Sequence, residues 1–104
     1  INSDNKQLKI ASGYDHCFVL EKESDVAAEI SEKISGRKLI IKTDQPGIQL
    51  YSGNHLSGSF TKNQGLCLET QHFPDSPNNN NFPSTKLKAN HQYYSATCYV
   101  FSNI

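Results

Sequence analysis

Apolar and polar residues alternate along most of this chain, the period-two signature of strands that turn one face to a core. Tyr14 to Leu20 reads as a strand with Asp15, Cys17 and Val19 on one face and His16, Phe18 and Leu20 on the other. Val26 to Ile30 and Lys38 to Thr43 read as two more, with Ser35-Gly36-Arg37 as the turn between them. Gly47 to Tyr51 is a fourth, entered through Gln45-Pro46-Gly47. Leu66 to Gln71 is a fifth, and Tyr93 to Phe101 a long sixth. Residues 22–34 also fit a helix, since Val26, Ile30, Lys33 and Ile34 sit near helical spacing. The strand reading is preferred because Gly36 and the β-rich segment after it favour a hairpin. Pro74, Pro77, Pro83 and the run Asn78 to Asn81 make the next stretch a loop, since proline gives no donor to a ladder. The expected fold class is all-β: short antiparallel strands forming part of a β-sandwich.

Composition narrows this further. The 104 residues suffice for one domain, and 36% hydrophobic content with a mean hydropathy of −0.60 predicts a thin core or one that needs a partner surface. Ten basic residues balance ten acidic ones, so charge supplies no drive toward nucleic acid or anionic lipid. The longest clearly apolar run, Cys17 to Leu20, is far short of a membrane span, and no secretory signal opens the chain. The first residue is Ile1 rather than methionine, which suggests a processed or truncated product. Cys17, Cys67 and Cys98 form no CxxC pair and are expected to be buried, reduced thiols in a cytosolic protein. The absence of an Asn-x-Ser/Thr sequon points the same way.

The candidate chemistry lies on the polar strand faces. In Gly65-Leu66-Cys67-Leu68-Glu69-Thr70-Gln71, the leucines orient the strand toward a core and Glu69 faces away. In a partly dry cleft, desolvation would lift such a carboxylate toward the range of a useful base, although chemistry alone favours a solvated strand glutamate. Gln49 and Tyr51 share a face opposite Ile48 and Leu50 and could bind and stack on a sugar, or simply form a polar surface. Asp15, inside an apolar strand, needs a donor partner or a ligand hydroxyl; judged alone it reads first as a capping or hairpin carboxylate. His16, His55, His72 and His91 show no metal-ligand spacing, and no Gly-x-Ser-x-Gly marks a serine nucleophile.

Taken in order, several blocks resemble one family. They are Asp15-His16-Cys17-Phe18-Val19-Leu20, Ser35-Gly36-Arg37, Thr43 to Asn54 with its QPGIQLYSGN run, Leu68 to Asn78 within CLETQHFPDSPN, and Asn81-Phe82-Pro83-Ser84-Thr85. Together they look like the final third of an aldose 1-epimerase. The resemblance implies a galactose-mutarotase-like β-sandwich, with residues 1–104 as the C-terminal part of one domain. It implies an isomerase that interconverts the α and β anomers of free aldohexoses such as galactose and glucose, with no metal or nucleotide cofactor. It places Glu69 at the general base acting on the C1 hydroxyl, and Asp15 and Gln49 where the family binds sugar hydroxyls.

The family's general-acid histidine, in an Asn-His-x-Tyr-Phe-Asn-Leu type segment, and the arginine and second histidine that hold the sugar match nothing in this chain. His16, His55, His72 and His91 fall at other positions. The chain also has Asn79 and Asn80 where the family often has histidine and proline. The expected partners are therefore an aldohexose and either the missing N-terminal part of the same enzyme or further copies of the chain. Two rival readings remain: a non-catalytic sugar-binding β-sandwich module, and a structural β-domain that assembles through exposed strands.

Overall fold

A computed structural model describes residues 4–104; Ile1 lies outside the described residues. Among the described residues the fold is antiparallel β with one short helix, α1 (Lys6–Ile10), and a single 3-10 turn at Ser76–Asn78. The strands are β1 (Asp15–Val19), β2 (Ala28–Glu32), β3 (Arg37–Thr43), β4 (Gly47–Tyr51), β5 (Cys67–Gln71) and β6 (Thr97–Asn103). They form two three-stranded sheets, ordered β1-β4-β5 and β2-β3-β6. Every expected strand is present, and residues 28–32 are strand rather than helix.

Local chemistry explains where the boundaries differ. The hydroxyl of Ser24 accepts from the Val26 N–H at 3.1 Å and donates to the Val26 carbonyl at 3.0 Å, which holds Val26 in a turn and delays β2 to Ala28. At the other end of β2, the Glu32 carboxylate accepts from the Ile34 and Ser35 N–H groups at 2.8 and 2.7 Å. Gly36 takes φ +70° there, so the hairpin into β3 closes on a left-handed residue that suits glycine. The sixth strand starts at Thr97 rather than Tyr93. Gln45 Nε2 donates to Tyr93 Oη at 2.7 Å, and Asp44 accepts from Ser95 Oγ at 2.8 Å and from the Ala96 N–H at 3.1 Å. Those bonds tie residues 93–96 to the β3–β4 turn instead of a ladder. Helix α1 escapes a periodicity reading because it is one turn long; Asn5 caps it by accepting from the Gln7 N–H, and Leu8 anchors it in the interior.

Among the described residues only Leu8, Ile41 and Ile48 are buried apolar side chains, so the core is as thin as composition predicts. The sheets meet through a short hydroxyl chain: Thr43 Oγ1 to Thr97 Oγ1 at 2.9 Å, then Thr97 Oγ1 to Thr70 Oγ1 at 2.8 Å. Beside it their apolar faces border a slot of about 550 Å³, lined by Phe18, Leu50 and Leu68 on one side and Ala28 and Ile30 on the other.

The cysteines depart from expectation. All three are free, but only Cys17 is half-buried; Cys67 and Cys98 are exposed. The reason is topological: β5 and β6 are edge strands, and both thiols are open to solvent there. Burial pushes the Cys17 thiol above its ordinary range.

Candidate functional site

Strand register assembles the site. Cys17 and Glu69 both lie directly across from Gln49, one on each flanking strand, while Asp15 pairs with Tyr51 and Cys67 pairs with Tyr51 from the other side. Alternation then puts Asp15 and Cys17 of β1, Gly47, Gln49 and Tyr51 of β4, and Cys67, Glu69 and Gln71 of β5 on one face of the sheet. Ile48, Leu50 and Leu68 take the other face, and burial of Ile48 decides which way the sheet turns. A slip of one residue in either pairing would send Glu69 or Asp15 to the core side.

Gln49 occupies the centre. Its Nε2 donates to Asp15 Oδ1 at 2.8 Å, while its Oε1 is buried and has no donor among the described residues. A buried acceptor left unpaired costs about 1–3 kcal/mol. Glu69 and Asp15 are exposed, and Gln49 is half-buried. The dry cleft that the base reading invokes is therefore not supplied by the described residues. The face offers two carboxylates flanking an amide, a set suited to a ligand with several hydroxyl groups.

The two ends of this face are built differently. At one end a β-carbon on Gly47 would stand 3.0 Å from Cys17 Sγ and from the Phe73 ring, so the bare glycine lets the loop after β5 lie down there. Phe82 then meets Phe73 edge-on at 5.2 Å, and Ser76 Oγ donates to the Phe73 carbonyl at 2.6 Å. At the other end Tyr51 Oη accepts from the His55 N–H at 2.9 Å, and Tyr51 and Cys67 border an apolar pocket of about 360 Å³ with Leu56, Phe60 and Leu66. Tyr51's hydroxyl is thus already engaged in shaping a loop.

None of the histidines joins Glu69 on the strands of this face. His16 stands on the opposite face of β1, His72 follows the end of β5, and His55 and His91 lie in connecting segments. Asn54, to which the sequence reading attached no role, is buried: its Nδ2 donates to the Ala11 and Tyr14 carbonyls at 3.0 and 2.8 Å and its Oδ1 accepts from Ser52 Oγ at 2.6 Å. It fastens the approach to β1 onto the exit of β4. Its place in Ser52-Gly53-Asn54, just after a strand, was the available signal.

The aldose 1-epimerase family model matches residues 1–100. The chain belongs to the aldose 1-epimerase family. It is 41% identical over 100 residues to the galactose mutarotase of Mus musculus, covering 86% of this chain and 29% of that relative. Against the galactose mutarotase of Homo sapiens it is 39% identical over 101 residues, 88% of this chain and 30% of the relative. With the aldose 1-epimerase of Escherichia coli (strain K12) the identity is 36% over 111 residues, covering 95% and 32%. The chain thus spans about a third of the length of the curated relatives it matches. Asp15, Gln49 and Glu69 all fall inside the stretch matched by the family model. No helix among the described residues is long and apolar enough to cross a membrane.

Proposed function

We propose that this chain supplies the general base and part of the sugar site of an aldose 1-epimerase, an isomerase acting on free aldohexoses such as galactose and glucose. In this reading Glu69 takes the proton of the C1 hydroxyl as the bond from C1 to the ring oxygen breaks. A separate acid protonates the ring oxygen, the C1–C2 bond rotates, and closure reverses the steps on the other face. Asp15 and Gln49 hold sugar hydroxyls. The observation that carries the reading is Gln49: it sits across from Glu69, is oriented by Asp15, and keeps a buried Oε1 open to a donor such as a sugar hydroxyl.

Residues 1–104 act here as the C-terminal part of one β-sandwich domain. With no histidine beside Glu69 among the described residues, the departing ring oxygen would leave unprotonated, so the chain alone is inactive; the rest of an epimerase, or failing that another copy, would cover the open faces. The free thiols support a cytoplasmic location.

The test is Glu69→Gln in an epimerase containing this segment, followed by polarimetry on freshly dissolved α-glucose. The amide keeps the shape and loses the base, so the rate should drop by about 10²–10⁴-fold with sugar binding nearly intact. A rate within about threefold of the parent would overturn the assignment. Full binding without turnover in the parent itself would favour a non-catalytic sugar-binding module.

A further inference from the structure

Asp15 opens β1 with no backbone bond of its own to β4. The Ser52 N–H donates to the Tyr14 carbonyl at 3.0 Å, and the Leu20 N–H to the Pro46 carbonyl at 3.0 Å. Bonding alternates along an antiparallel pair, so the even-numbered residues of β1 bond to β4, and Asp15 faces Tyr51 in a non-hydrogen-bonded pair. The place of Asp15 along the sheet is therefore set by the rungs on either side of it, at Tyr14 and at His16.

The Tyr14 rung is closed by side chains. In a regular ladder the Tyr14 N–H would donate to the Ser52 carbonyl. Here it donates to Ser52 Oγ at 2.9 Å, while the Ser52 carbonyl accepts from Asn63 Nδ2 at 2.6 Å. A hydroxyl has one proton to give. That of Ser52 goes to Asn54 Oδ1 at 2.6 Å rather than to the Tyr14 carbonyl at 3.4 Å, which leaves its lone pairs for the Tyr14 N–H. Asn54 Nδ2 in turn donates to the Tyr14 and Ala11 carbonyls at 2.8 and 3.0 Å. Gly13 makes room for this: at φ +143° a β-carbon there would overlap Asn54 Oδ1.

We infer that Ser52 and Asn54 are positioning residues of the sugar site, seating Asp15 for its bond to Gln49. The chain of contacts is continuous. Asn54 orients the Ser52 hydroxyl, and the two residues hold both backbone groups of Tyr14. Tyr14 sets where β1 begins, and Asp15 Oδ1 accepts from Gln49 Nε2 at 2.8 Å. That last bond occupies the amide nitrogen and leaves the buried Oε1 as the acceptor for a ligand. With the Tyr14 rung broken, the Asp15 end of β1 would fray from β4, and the Gln49 amide would lose the partner that sets its direction. Resting on the sugar-site reading above, this adds two residues that act through Asp15 and have no sugar contact of their own.

Galactose mutarotation followed by polarimetry, in an epimerase containing this segment, tests it. Ser52→Ala removes the acceptor of the Tyr14 rung; Asn54→Asp keeps the acceptor for Ser52 and removes the donors. Each should raise KM about tenfold, the equivalent of one hydrogen bond. The kcat should stay within about threefold of the parent, because binding is lost while Glu69 is untouched. Ser52→Thr, which keeps the hydroxyl, should hold KM near the parent value. Ile41→Ala, a destabilising change in the other sheet, should leave KM unchanged at a temperature where circular dichroism shows every variant folded. In the Asp15→Ala background Ser52→Ala should add nothing to KM, because the residue it acts through is gone. Effects of Ser52→Ala and Asp15→Ala that multiply, or a rise in Ile41→Ala equal to that in Ser52→Ala, would mark a general loss of stability and overturn the inference. An unchanged KM in Asp15→Ala would sink the sugar-site reading and this inference with it. A raised KM in Asp15→Ala beside unchanged values in Ser52→Ala and Asn54→Asp would overturn the inference alone.

Discussion

The two sheets have the same strand count and the same antiparallel logic, yet they divide the work. The β1-β4-β5 sheet gathers Asp15, Gln49 and Glu69 on one face by strand pairing, with Gln49 bonded to Asp15. The β2-β3-β6 sheet contains the best-buried residue of the core, Ile41 at 0% exposure, and also an edge strand, β6, on which Tyr99, Val100 and Phe101 are exposed. Ile41 lies in the central strand, with Ala28 across from it on β2 and Tyr99 on β6. Position within a sheet, more than residue type, decides what a side chain contributes: Ile34, also an isoleucine, is 98% exposed in the hairpin turn of the same sheet.

The largest effect expected from this contrast is on stability. Ile41→Ala should cost about 2–5 kcal/mol, the usual range for truncating a fully buried isoleucine. Ile34→Ala should stay within about 0.5 kcal/mol. Urea unfolding of the two variants measures the gap, and equal midpoints would erase the distinction between central strand and turn.

A second comparison concerns the supports of the site-bearing sheet. Asn54→Ala removes a buried side chain that serves two carbonyls and a hydroxyl, and should destabilise by about 1–3 kcal/mol. Asn80→Ala, in the exposed asparagine run, should change little. A small effect at Asn54 would mean that β1 and β4 hold together without that clamp.

Within the site face, Gln49→Ala and Asp15→Ala should each weaken galactose binding to an epimerase containing this segment. The expected loss is about 0.5–1.5 kcal/mol for a neutral hydrogen bond and more for a charged one. Cys67→Ser, on the same face but with no assigned contact, should leave the affinity alone. Titration calorimetry on the three variants would sharpen the site, and equal affinities would count against the face as the place where sugar binds.

The smallest effects are on pH dependence, and they have opposite signs in the two sheets. The Ile34 and Ser35 N–H groups hold the Glu32 carboxyl below its ordinary range. Its contribution to folding is present above the unfolded carboxylate value and is lost as pH falls through the lowered folded one. Burial raises the Cys17 thiol, so its neutral form favours the fold below the unfolded thiol value, and that advantage declines as pH rises through the raised folded one. Glu32→Gln should flatten the acid side of a stability–pH profile, and Cys17→Ala the alkaline side. A profile changed on the wrong side by either variant would contradict the cause assigned to it.

Strand content, the all-β class and the sharing of faces along each strand were legible in the chain of residues alone. Period two is a local property of extended backbone, and hydrophobic alternation in Gly47 to Tyr51 and around Glu69 reports it directly. The sequence also carried the family, since the matching blocks are long and ordered. Long-range pairing settled what those local signals could not contain. Pairing across distant segments set Gln49 opposite Glu69 and within reach of Asp15. Side-chain bonds from Asp44 and Gln45 pulled residues 93–96 off the ladder. Edge positions left Cys67 and Cys98 exposed where composition pointed to burial. Register and coverage depend on partners far along the chain, and no window of sequence holds both members of a pair.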